Sequence, residues 1–224
     1  MALLEQICGL LERTYDHPAL PGPPAAFVVG DDGFRRLTRN QEIVRSVDSA
    51  GTAAQVLLRH DEDGHYRLAV YFPDALIRSL EDEPPTRDLH GGNVDAFATF
   101  VEELDHLLLL ATRARTGAEV SLLEMELHAN VSKELVMRHF LARLAGRQRL
   151  PEEAVVWLRH HLFHKHRFVD PDLAVRARYR DAARLGLRYL EHLETVPAGR
   201  RLRDLRRFSR MTHHQKLAFL RRAA

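Results

Sequence analysis

Two acid–imidazole pairs in this chain stand at spacings that place both members on one face of a helix. Glu103 precedes His106 by three residues, and Glu124 precedes His128 by four. Residues three or four apart are neighbours on a helix surface, so each carboxylate can sit beside its imidazole. On adjacent helices the two pairs would converge into a donor set for a divalent metal. Zinc, iron and manganese suit it, because imidazole is a borderline ligand, carboxylate a hard one, and thiolates are missing. Glu103, His106, Glu124 and His128 are therefore the candidate metal ligands. In a metal-dependent enzyme, hydrolytic or redox, Glu126 or Asp105 would be the base acting on a metal-bound water.

The surrounding pattern places these residues at the buried edge of their helices. His128 shares its stripe with Val131 and Leu135, and Glu124 is flanked by Leu123 and Leu127. A buried carboxylate is costly unless it meets a metal, an imidazolium or a donor such as Lys133 or Asn130. A hydrogen-bonded Glu/His network joining two helices is the alternative to a metal. Glu103-x-x-His106 resembles the ligand motif of the di-iron carboxylate four-helix bundles. The second pair departs from that motif by one residue, and two further glutamate positions of such bundles have no counterpart.

Other constellations carry less chemistry. Arg159 to Arg167 contains four histidines, and His160 and His164 are one helical turn apart, but Arg159, Lys165 and Arg167 disfavour a cation there. An anion contact or a polar surface fits better. Arg176, Arg180, Arg184 and Arg188 are successive i, i+4 steps that line one helix face, and Arg200 to Arg210 adds six more arginines. Such a stripe suits phosphate or an acidic protein surface, so these four residues are the candidate anion-binding set. Helix-turn-helix, zinc-finger, Gly-x-Ser-x-Gly and His-Glu-x-x-His signatures are absent from the sequence. His60 and His65 flank a turn, and the His-Gly-Gly at 90–92 lacks the remainder of a phosphate loop.

Positioning these side chains requires helices over 94–113 and about 119–145, with apolar stripes at helical spacing and a break at Thr116-Gly117. The short connection makes them antiparallel neighbours. Further helices are expected over 2–14, 74–82, 151–164 and 170–194, with two short ones in 200–224, Thr212 capping the last. The clearest β signal is a hairpin over 53–72, where Tyr66, Leu68, Val70 and Phe72 alternate after Asp63-Gly64. Two strands alone are marginal, so residues 26–30 are expected to add a third. A helix is expected near 40–48.

The fold class expected is α+β and predominantly α-helical. An N-terminal portion, 1–90, carries the hairpin and packs on a helical portion, 91–224, the two forming separate units or one continuous domain. At 45% hydrophobic and 29% charged, the 224 residues have the composition of a globular chain. Charge is divided along it. Residues 134–224 hold 21 Lys+Arg against 9 Asp+Glu, net +12, whereas residues 1–133 hold 12 against 22, net −10. The asymmetry serves an anionic partner or draws the halves together. The lone Cys8 excludes an intrachain disulfide and reads as a small core residue. No signal peptide is recognised, and no apolar run approaches the roughly 20 residues of a membrane span, so a cytoplasmic protein is expected. The leading functional expectation is an interaction or regulatory protein with a buried Glu/His cluster able to take a divalent metal. A metal-dependent enzyme, and binding of nucleic acid or another anionic partner through the basic half, are the alternatives.

Overall fold

The computed structural model describes residues 2–39, 45–46, 54–60, 66–165 and 171–222. Helix α1 (Ala2–Tyr15) buries Leu4, Ile7, Cys8 and Leu11, and the prolines beyond it forbid continuation. Burial, with the Glu12 charge, pushes the Cys8 thiol up to about 12, so it is an unreactive core side chain. Strand β1 (Val28–Val29), helix α2 (Asp31–Arg39) and strand β2 (Arg45–Ser46) follow, then strands β3 (Gln55–His60) and β4 (Tyr66–Tyr71).

The sheet order is β1-β4-β3-β2. The expected hairpin is β3 with β4, antiparallel, with Val56 opposite Val70. The expected third strand is β1, parallel to β4. The helix expected near 40–48 is corrected: the helix of this region lies earlier, at α2, and Arg45–Ser46 pairs with Leu57 and Leu58 of β3 instead. Asp31 and Asp32 in the first turn favour that earlier start, and an open edge of β3 overrides local preference at 45–46. The remainder of 40–48, the Asp63-Gly64 turn, His65 and the side chain of His60 lie outside the described residues. Val56, Val70 and Phe72 are buried, and Phe72 meets Phe100 with ring centroids 4.8 Å apart, which docks the sheet on the helices.

Helix α3 (Asp74–Asp82) has Asp74 in its first turn, where its Oδ1 accepts the Asp31 N–H at 3.2 Å rather than capping its own helix. The loop to the next helix is held by buried Asn93, whose Nδ2 donates to the carbonyls of Glu83 and Asp88 while its Oδ1 accepts from His90 N. The two glycines at 91–92 thus belong to a structural turn. Helix α4 (Val94–Thr116) ends at Gly117, whose φ of 63° is the left-handed cap a glycine tolerates best. Helix α5 (Leu122–Leu144) opens with Ser121 accepting the Glu124 N–H. Helix α6 (Glu152–Arg159) runs into a π turn, His160–His164. Helix α7 (Leu173–Thr195) is capped by Asp172; the expected start at Asp170 lies outside the described residues, as do His166 and Arg167. Helices α8 (Ala198–Arg210) and α9 (His213–Arg222) follow. Thr212 caps α9 in a reciprocal box, accepting Gln215 N–H and donating its own N–H to Gln215 Oε1 at 2.9 Å.

Helix α5 is the axis of the bundle. Residues Glu124 to Glu134 are buried without a break, so α5 has neighbours all round. The antiparallel α4 covers one side through Arg113–Glu124, Asp105–His128 and Glu102–Lys133. On another side Asn130 meets Gly186 and Arg138 meets Glu194, both pairs 56 residues apart, so α7 runs parallel to α5. One continuous cluster of buried apolar side chains joins α1, the inner sheet face and the helices. Among the described residues no helix is long and apolar enough to cross a membrane.

Candidate functional site

The polar side chains on α4 and α5 sort into three groups along their seam. At the end nearest the α4–α5 loop, Glu124 is buried and accepts hydrogen bonds from Arg113 Nη2, at 2.7 Å, and from Lys216 Nζ of α9. Lys216 is itself buried, and desolvation lowers its pKa against the pull of Glu124. Glu124 is thus an ion-pair anchor for α9. One turn along α5, His128 Nδ1 lies 2.8 Å from Asp105 Oδ2 and His128 Nε2 lies 3.0 Å from Ser209 Oγ of α8. Ser132 donates to Asp105 Oδ1 at 2.6 Å, so the Tyr15 hydroxyl, 2.7 Å from Ser132 Oγ, donates to that serine. Burial would raise the Asp105 pKa, but the His128 charge and the two hydrogen bonds hold it below the ordinary value.

Asp105, His128 and Ser209 have the distances of a Ser-His-Asp triad. Their exposures are 1%, 3% and 5%, which leaves an acyl substrate no approach to Ser209 Oγ. Ser209 also lies within α8, where neighbouring N–H groups are spent on the helix and form no oxyanion hole. The arrangement is a clasp that ties α8 and α1 to the α4–α5 pair. With both oxygens of Asp105 engaged, that carboxylate is also poorly suited to serve as a base.

The third group is Glu102, Glu103 and His106 of α4 with Glu126 and Lys133 of α5. One potential ligand atom from each of Glu102, His106 and Glu126 lies within 4.8 Å of the other two. Glu103 Oε2 sits 3.8 Å from His106 Nδ1, while His106 Nε2 is buried with no hydrogen-bond partner among the described residues. Burial alone would push the His106 pKa down, but the adjacent Glu103 carboxylate and the charges of Glu126 and Glu102 raise it to about 10. Lys133 Nζ donates to Glu102 Oε2 at 2.8 Å, and the Glu102 side chain is 21% exposed, so the cluster reaches the surface on that side.

Of the four ligands expected from sequence, the structure therefore brings Glu103 and His106 together and gives Glu124 and His128 other partners. Glu102 was legible, since it precedes His106 by four residues and shares its face. Lys133 and Asn130, expected as donors to the buried carboxylates, bind Glu102 and the Glu126 carbonyl. Ser209 and Lys216 reach the seam from 81 and 92 residues away, and nothing local announces them.

The basic segments are partly internal. Lys165 pairs with Asp95 at 2.6 Å and Arg210 with Asp16 at 2.5 Å, which, with Lys216–Glu124, links the oppositely charged halves. Arg159 and Arg138 share Glu134 and Glu194. On α7 Arg176, Arg180, Arg184 and Arg188 keep their i, i+4 alignment; Arg180 and Arg184 are exposed, Arg176 and Arg188 half-buried, and Arg184 pairs with Asp181. Comparison of the chain with protein-family models, with curated proteins and with solved structures finds no match in any of the three.

Proposed function

We propose that this chain is a helical interaction or regulatory protein that holds one divalent metal ion between α4 and α5, with Glu102, His106 and Glu126 as ligands. The observation that carries the reading is the approach of three ligand atoms within 4.8 Å on neighbouring turns of two packed helices. The ion would displace the proton from His106 Nε2, and Glu103 beside Nδ1 takes the orienting place that a carboxylate commonly holds behind a metal-bound imidazole. A dication also offsets the crowding of the Glu102, Glu103 and Glu126 carboxylates around His106. One imidazole with two carboxylates suits zinc, iron or manganese. The single cysteine fits a reducing compartment, in keeping with action in the cytoplasm.

Three protein ligands leave coordination positions for water, the arrangement of catalytic rather than closed structural sites. That favours a metal-dependent hydrolytic or redox enzyme as the second reading, with the partly exposed Glu102 side as the entrance.

The test is calorimetric titration of the metal-stripped full chain with Zn²⁺, Mn²⁺ and, anaerobically, Fe²⁺. About one ion per chain is expected for at least one metal, with affinity lowered by about tenfold or more in Glu126→Gln. Absence of saturable binding for all three ions would overturn the reading.

A further inference from the structure

The basic C-terminal tail forms a surface feature separate from the α4–α5 seam. Helices α8 and α9 both pack on α7 and enclose a groove of about 930 Å³. Its apolar lining comes from Leu202, Met211, Ala218 and Phe219, with Leu202 46% exposed. Arginines 203, 206, 207, 210 and 222 surround that lining, and among the described residues Asp16 is the one carboxylate on it, already paired with Arg210. Arg206 is turned toward the carbonyls of Arg13 and Thr14. Arg203 and Arg207 are exposed and make no ion pair among the described residues.

The geometry points to this groove as the docking site for an acidic amphipathic helix of a protein partner, whose apolar face covers the Leu202–Phe219 strip while its carboxylates meet Arg203 and Arg207. The proposal rests on the interaction half of the reading above and is independent of the metal. Charge complementarity selects an acidic occupant. The apolar strip selects a peptide over a nucleic-acid backbone, which would neutralise the arginines yet leave Leu202 and Met211 uncovered. Phe219 is a poor stacking platform for a base, because its ring already contacts His192 and Phe208 at centroid distances of 4.9 and 5.8 Å. A helix laid between two helices, with anchors at i, i+3, i+4 and i+7, is an established mode of peptide recognition.

The experiment measures fluorescence anisotropy on the full chain with three labelled probes. The first is a peptide with leucines at i, i+3, i+4 and i+7 among glutamates, the second the same peptide with serines for leucines, and the third a single-stranded oligothymidylate. The leucine peptide is expected to bind at least about tenfold more tightly than either other probe. The doubly substituted Arg203→Glu, Arg207→Glu chain should lose at least about tenfold in that affinity, and Leu202→Ser severalfold, with circular dichroism unchanged. Equal binding of the serine peptide, tighter binding of the oligonucleotide, or unchanged affinity in the arginine variant overturns the proposal. So does self-association of the wild-type chain that the arginine variant abolishes, since a second copy would then be the occupant. Repeating the titration on His106→Ala separates the two readings: peptide binding that persists without metal supports the groove whatever becomes of the ion.

Discussion

Asp105 and His128 meet across the α4–α5 seam, Oδ2 to Nδ1 at 2.8 Å, and both are buried. A pair of this kind contributes little net stability when intact and costs much when broken, because the surviving partner keeps its desolvation penalty. His128→Ala should therefore destabilise the protein by about 3 kcal/mol in urea unfolding. A change below about 1 kcal/mol would show that the clasp to Ser209 does not hold α8 in place.

Lys216 and Glu124 make the corresponding contact for α9. Lys216→Met should cost about 2 kcal/mol, less than a fully orphaned charge, because Arg113 still binds Glu124. Adding Glu124→Gln should recover part of that loss, with a coupling of about 1 kcal/mol. Additive single effects would mean that the two side chains act independently.

Helices α5 and α7 pack tightly at a missing side chain. A Cβ at Gly186 would lie 3.0 Å from the Cβ of Asn130, so Gly186→Ala requires that contact to give by a few tenths of an ångström. Helix propensity favours alanine by about 1 kcal/mol, but overpacking outweighs it, and a net loss of about 1–2 kcal/mol is expected from thermal unfolding. A stabilised variant would show that the contact yields easily.

His17 lends the protein an acid-sensitive limb. Burial first, and then the neighbouring His128 charge, push its pKa down to about 4 from an ordinary 6.5. With the folded value below the unfolded one, the unfolded chain binds more protons between these limits. Stability contributed by neutral His17 is thus present above about pH 6.5 and is lost as pH falls toward 4, by about 2 kcal/mol. The pH dependence of unfolding should flatten over that window in His17→Gln, and an unchanged slope would assign the limb to other groups.

Much of the fold could be read locally, and much of the site could not. The hairpin, the Ser121 and Thr212 caps and the Gly117 break each follow from a few adjacent residues. The burial of α5 on every side does not, because the stripe of Leu127, Val131 and Leu135 accounts for one side only and the polar Glu126, Asn130 and Ser132 announce no neighbour. Distant partners of α5 are Lys216, Ser209 and Tyr15, from elements 81 to 117 residues away. Helical spacing placed Glu103 beside His106, as the 3.8 Å contact has it, but it could not say that α8 and α9 supply the partners of His128 and Glu124. Rotation of α5 against α4 then offers Glu126 to His106, although Glu126 is off the stripe that sequence alone favours.

The most direct measurement is elemental analysis by mass spectrometry of the untagged full chain, purified without added metal, beside His106→Ala and His128→Ala. About one equivalent of zinc, iron or manganese in the wild type, lost in His106→Ala and kept in His128→Ala, is the result expected for an ion held by Glu102, His106 and Glu126. A wild-type chain free of metal, or an ion that survives His106→Ala, would contradict that assignment and leave the seam as a hydrogen-bonded network alone.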